Sequence, residues 1–139
     1  MIDGIDQKIL NVLQTEARTS NVDLARAVGM APSAVLGRVR KLEAAGVIRG
    51  YEARLDPRVL GCGVLAFVFV AADERVGDVK TGARLAQIPE VQEVHHIAGE
   101  DCYLCKVRVR DPESLGRLLR ERFGRIKSVR STRTTIVLG

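Results

Sequence analysis

Apolar residues recur at helical spacing until residue 46 and at strand spacing after residue 63, and this change of period divides the chain. Ile5, Ile9, Leu10, Val12 and Leu13 form the stripe of a first helix, with Asp3 and Asp6 at the end where carboxylates suit the helix dipole. That helix is expected to end near Ala17, leaving Thr19, Ser20 and Asn21 as capping or turn residues. Residues 21–46 then read as two short helices around a tight turn. Val22, Leu24, Ala25 and Val28 are the apolar positions of the first, and Gly29 stops it where a positive φ is easily accommodated. Pro32 suits the first position of the second, since no amide donor is needed there. Val35, Val39, Leu42 and Ala45 follow on one face. The stripes predict a trihelical unit with Ile9, Leu13, Leu24, Val28, Val35, Val39 and Leu42 in its core. Gly46 ends the third helix, and residues 47–55 read as two short extended segments bent at Gly50, a β-wing.

Asp56-Pro57 and Gly61-Cys62-Gly63 break every period and mark the join to a second domain. The expected division is a helix-turn-helix domain over 1–50, a wing and hinge over 51–62, and a second domain over 63–139. Residues 64–72, VLAFVFVAA, are apolar on both alternating faces, as in a strand covered on both sides. A weaker helical pattern runs over 76–88 through Val79, Ala83, Leu85 and Ala86 and ends at Pro89. Strands are predicted over 91–98 and 102–110. In the latter, Tyr103, Cys105, Val107 and Val109 share one face, with Cys102, Leu104, Lys106, Arg108 and Arg110 on the other. A helix with Leu115, Leu118, Leu119 and Phe123 buried runs from Pro112 to Gly124, and 127–138 is the last strand. Strand, helix, strand, strand, helix, strand is the ferredoxin-like βαββαβ order, so the fold class is α+β: a winged helix-turn-helix followed by an antiparallel four-stranded sheet with two helices on one face. The doubly apolar first strand predicts that the open sheet face pairs with a second copy in a homodimer.

Composition narrows the function. The 139 residues are 46% hydrophobic and 28% charged, which is globular. No run of 18 uncharged apolar residues and no basic start followed by an apolar run occurs, so neither a membrane span nor a signal peptide is expected and a cytoplasmic, nucleoid-associated protein is. Three cysteines, Cys62, Cys102 and Cys105, are expected as reduced thiols there. The formal charge of +5 is compatible with a polyanionic partner. Within residues 33–50, Arg38, Arg40, Lys41 and Arg49 face only Glu43. A basic helix standing away from its own core fits the major groove of double-stranded DNA. Ser33, Ala34, Gly37, Arg38 and Lys41 are the candidates to approach bases or phosphates, with Arg40, Arg49 and Arg54 adding backbone contacts. A two-fold dimer would present paired recognition helices to a palindromic operator.

These features together resemble the Lrp/AsnC, or feast/famine, transcription regulators. The matching stretches are IDQKILNVLQTEART, LARAVGMAPSAVLGRVRKLEAAGVIRGYEARLDPRVLG, IPEVQEVHHIAGEDCYLCKVRV and VRSTRTTIVL, which cover essentially the whole chain. The resemblance implies a DNA-binding domain joined to a ligand-sensing domain, dimers that assemble into octamers, and a response to amino acids bound between dimers. It places the effector site at a G-x-x-D-Y-type turn, here Gly99, Glu100, Asp101, Cys102 and Tyr103. This chain has Cys102 where that aspartate is expected, with Asp101 one position early, and Ala31 where the family commonly has a helix-capping serine. Backbone groups of Ala98 to Cys102, with Asp101 or Glu100 for an ammonium, are the expected effector contacts. Ser131, Thr132 and Thr134 on the last strand are candidate hydroxyl donors, set against their plainer role as strand formers.

The remaining conspicuous residues have ordinary readings. His95 and His96 are adjacent and point to opposite faces of a strand, as do Cys102 and Cys105, so neither pair is expected to hold a metal. Glu93 and Glu100 have no nucleophile placed between them. Arg117, Arg120, Arg122 and Arg125 read as the solvated side of the last helix, within reach of a wrapping DNA. No cofactor and no catalytic residue is expected. Two other readings are an effector-free architectural DNA-binding protein and an enzyme resembling haem-pathway decarboxylases, in which His95 or His96 would meet a tetrapyrrole.

Overall fold

The computed structural model describes residues 1–139, and the chain divides into two compact units, Met1–Arg54 and Leu55–Gly139. In the first, α1 (Gly4–Thr15), α2 (Asn21–Val28) and α3 (Pro32–Ala44) close on Ile9, Leu24, Ala25, Val35, Val39 and Leu42. Leu13 and Val28, expected in this core, lie partly buried at its margin. Asp3 caps α1 by accepting from the Asp6 amide at 2.8 Å, while the Asp6 carboxylate accepts from the Asp3 amide at 3.2 Å. Ser20 caps α2 through the Asp23 amide, and Gly29 ends it at φ 73°. That left-handed residue makes the sharp turn between α2 and α3 at no steric cost.

The expected β-wing strands are not formed. Residues 47–55 carry no strand pairing, because the amides that would start a ladder are spent on the helix end: Val47 and Ile48 both donate to the Leu42 carbonyl, at 3.0 and 3.1 Å. The bend at Gly50 is present, at φ 157°.

The second unit is a four-stranded antiparallel sheet in the order β2-β3-β1-β4, with β1 (Val64–Ala72), β2 (Val91–His96), β3 (Tyr103–Val109) and β4 (Val129–Ile136). Helices α4 (Lys80–Ala86) and α5 (Pro112–Leu118) complete it. Register sorts the faces. Ala66, Val68 and Val70 oppose Val107, Cys105 and Tyr103, and all six are buried in one core with Leu85, Leu115, Leu118 and Phe123. Burial pushes the Cys105 thiol up to about 12. Phe67 and Phe69 oppose Lys106 and Leu104 on the other face and stay half-exposed, as a sheet face awaiting a cover would.

Two helices differ from their sequence patterns. The helix expected over 76–88 begins only at Lys80, because Asp78 and Glu74 accept the Lys80 and Thr81 amides as a local turn and Val76 is fully exposed. The helix from Pro112 continues past Leu118 as a π turn over Leu119–Phe123, closed by Gly124 N–H donating to the Leu119 carbonyl at 2.8 Å. Gly124 is needed there for closeness, since a Cβ would lie 2.8 Å from the Arg120 carbonyl oxygen.

Candidate DNA-binding surface and effector turn

Helix α3 buries Val35, Val39 and Leu42 and so turns Ser33, Gly37, Arg40 and Lys41 outward, with Ala34 beside them, all exposed. Arg40 and Lys41 make no ion pair within the chain, which leaves two solvated cations on one turn of helix. Gly37, in the middle of this face, meets nothing within 4 Å of where a Cβ would stand. Its cost of about 1 kcal/mol in helix stability relative to alanine is therefore not offset by packing inside the unit. Ala31 gives α3 no side-chain cap, yet its carbonyl accepts the Ala34 and Val35 amides at 3.1 Å, so the helix start is held by backbone.

Arg38, expected beside these residues, is placed differently. One helical step round the flank, it donates to Asp3 at 2.6 Å and Asp6 at 3.0 Å, clamping α3 to the capped start of α1. The guanidinium thus serves the helix packing, and its charge is already matched. Arg49 and Arg54 are exposed on the segment after α3, where Tyr51 donates to Glu43 at 2.9 Å. The Asp6 amide and then Arg38 hold the Asp3 carboxyl below its usual range. A lowered carboxyl stabilises the fold above its ordinary value of 3.8 and loses that contribution as pH falls below it. Arg38→Met is accordingly expected to lower the melting temperature at pH 7. The gap from wild type should close in acid, as thermal melts followed by circular dichroism will show.

The turn after β2 brings Ala98, Gly99 and Glu100 to the surface and is closed by the Ile97 amide on the Cys102 carbonyl at 2.9 Å. Cys102 is not a vacant acid position. Its thiol accepts from the Ala72 amide at 3.4 Å and donates to the Ala72 carbonyl at 3.5 Å, serving the irregular last rung of β1. Tyr103 has its side chain in the core, 1% exposed, and donates to Glu74 at 2.7 Å; burial first, then that carboxylate, push its phenol up to about 12. Its ring lies against Gly82, where a Cβ would come within 2.6 Å. Tyr103 therefore offers the turn backbone groups only, a correction to its placement among the effector contacts.

The three candidate hydroxyls of β4, Ser131, Thr132 and Thr134, are likewise not brought together. Thr132 and Thr134 oppose the inward-facing Val70 and Val68, whereas Ser131 opposes Ala71 and belongs to the other face. The residue that reaches the turn from β4 is Arg133. Its guanidinium donates to Asp101 at 2.8 Å and lies 4.2 Å above the Phe69 ring. Nothing in the local sequence singled it out; the β1/β4 register that sets Arg133 opposite Phe69 is a long-range fact. His95 bonds Glu93 at 3.0 Å on the open face, and His96 stacks on Tyr103.

Comparisons with known proteins agree along the whole chain. Residues 2–49 match the winged helix-turn-helix DNA-binding profile, and residues 65–139 match the Lrp/AsnC ligand binding domain. The leucine-responsive regulatory protein of Escherichia coli K12 is 40% identical over 139 residues, covering 99% of this chain and 85% of the relative. A transcriptional regulator from Neisseria meningitidis, solved as an L-Met complex, superposes with a TM-score of 0.92 at 30% identity, covering 100% of this chain and 91% of that one. Escherichia coli AsnC gives 0.90 at 31%, covering 100% and 93%. A feast or famine regulatory protein from M. tuberculosis, complexed with L-methionine, gives 0.92 at 36% with the same coverage. With a helix-turn-helix unit, an antiparallel α+β unit and full-length similarity in one order, the chain belongs to the Lrp/AsnC family of transcription regulators.

Proposed function

We propose that this regulator binds operator DNA as a homodimer through the outward face of α3, and that an amino acid held at the 98–102 turn alters that binding. The observation that carries the DNA reading is the face itself: Ser33, Gly37, Arg40 and Lys41 are exposed together, with both cations unpaired. Ala34 flanks this face, and Arg49 and Arg54 add charge for the DNA backbone. Gly37 leaves room for a groove wall to come close. The half-exposed Phe67 and Phe69 support dimerisation through the sheet, and assembly into octamers follows the family pattern. Residues 1–50 would form the DNA-binding domain, 51–62 the hinge and 63–139 the sensing and dimerising domain. Such a protein is a cytoplasmic DNA-binding regulator and not an enzyme.

For the effector, the 2.8 Å pair of Arg133 and Asp101 beside exposed backbone is the supporting feature. A zwitterion would exchange that pair for two, its carboxylate on Arg133 and its ammonium on Asp101. The amino-acid complexes of the Neisseria and M. tuberculosis relatives support this ligand class.

Selection of binding sites from a randomised duplex pool, followed by anisotropy titrations with each of the twenty amino acids at fixed salt, tests both halves. Inverted half-sites about one helical turn of DNA apart, or a multiple of it, are expected. At least one amino acid is expected to change affinity by roughly 5 to 150-fold. A pool with no enriched sequence overturns the operator reading. Gly37→Ala sharpens the test: it should raise stability by about 1 kcal/mol and still weaken operator binding, because the added methyl meets only the duplex.

A further inference from the structure

A second cluster of charged side chains, independent of the amino-acid reading, lies in the C-terminal unit around helix α5. A cleft of about 410 Å³ opens where residues 60–62 meet the end of β3 and helix α5, within the range of small-molecule sites. The helix and its π turn direct one stripe at it, Ser114, Arg117, Leu118, Glu121 and Arg122. Arg110 joins from the strand end. Arg110 and Arg117 both line the cleft. The bonds from Ser114, and then these two guanidinium groups, hold the nearby Asp111 carboxyl below the usual range. Asp111 itself is committed to capping α5, accepting the Ser114 amide at 2.7 Å.

These cations are nearly free. Arg110 and Arg122 form no ion pair, and Arg117 meets only the exposed Glu113 at 3.7 Å. Across the same cleft Glu90 contributes a carboxylate whose Oε2 is buried without any hydrogen-bond donor. A buried acceptor left unmade costs free energy, and the neighbouring guanidinium groups do not supply the bond. A ligand matched to this lining carries anionic oxygens for the arginines, placed away from Glu121, and a hydroxyl donor for Glu90.

We propose that this cleft binds a ribonucleoside di- or triphosphate, with phosphates on Arg110, Arg117 and Arg122 and a ribose hydroxyl on Glu90. Guanidinium forks match phosphate oxygens, and a carboxylate that accepts from ribose hydroxyls is a general device of nucleotide recognition. Duplex DNA fits worse. It has no 2′-hydroxyl to give to Glu90. Such a ligand would let the regulator read a phosphorylated metabolite as well as an amino acid.

The test is calorimetry on the full chain with ATP, GTP, their 2′-deoxy forms and tripolyphosphate. Ribonucleotide binding is expected, weakened at least about tenfold in Arg110→Ala and Arg122→Ala, both exposed positions that should leave the fold intact by circular dichroism. Glu90→Ala is expected to erase the preference for ribose over deoxyribose while keeping phosphate binding. No heat with any nucleotide overturns the proposal. So does tripolyphosphate binding as tightly as ATP with Glu90→Ala unchanged, or nucleotide binding that is lost through Arg40→Ala and Lys41→Ala instead.

Discussion

Alanine at both Arg40 and Lys41 is expected to lower operator affinity by roughly a hundredfold or more at physiological salt, with the fold unchanged. The size follows from symmetry and counter-ions. In the proposed two-fold dimer each substitution acts twice, so up to four phosphate contacts would be removed, and each neutralised phosphate contributes about 0.9 to the slope of log affinity against log salt. The slope should therefore become shallower by roughly 3 to 4, as titrations at several salt concentrations will show. Both side chains are exposed and unpaired, so the melting temperature should barely move. Arg38→Met behaves in the opposite way, costing stability through its lost contacts to Asp3 and Asp6 and leaving the salt slope nearly intact. If Arg40 reads a base edge, the double variant also relaxes specificity at one operator position. A loss uniform across sequences assigns both side chains to phosphates. Undiminished affinity with an unchanged slope would remove the outward face of α3 from the interface.

The contrast between Arg38 and Arg40 also measures how far the sequence reads. Periodicity placed the core stripe Val35, Val39 and Leu42 and hence the outward face, because helical spacing is local. It could not tell which cation on the flank of that face would find a partner, since Asp3 and Asp6 lie 35 and 32 residues away from Arg38. The same limit appears in the second unit. Alternation alone put Tyr103, Cys105, Val107 and Val109 on one face, and they are the inner one. The pairing of β1 with β4 fixes which face each β4 residue joins, and that register separated Ser131 from Thr132 and Thr134 and brought Arg133 to Asp101. The strand pairing expected in the wing is absent for a related reason: Val47 and Ile48 have strand composition, but their amides are bonded to the end of α3. Cys102 looked like an absent acid in the sequence because its partner, the backbone of Ala72, is 30 residues away.

Arg133→Ala and Asp101→Asn are each expected to weaken binding of the amino-acid effector by roughly 10 to 100-fold. The free pair is 65% and 18% exposed on its two sides, so opening it costs at most about 1 kcal/mol. A zwitterion then gains a charge-assisted bond at each end, worth about 1.5–3 kcal/mol apiece where water is displaced. The Phe69 ring, 4.2 Å beneath the guanidinium, keeps Arg133 on the sheet while Asp101 changes partner. The two variants should differ in which analogue they still accept. Arg133→Ala loses its preference for an amino acid over the corresponding amine, and Asp101→Asn loses its preference over the corresponding carboxylic acid. Cys102→Ser, which keeps a small hydrogen-bonding group against Ala72, should bind as wild type does. Calorimetry with the effector found in the twenty-amino-acid screen decides the matter. Wild-type affinity in Arg133→Ala would show that the ligand's carboxylate rests on backbone amides of the 98–102 turn and that the Arg133 to Asp101 pair only braces that turn.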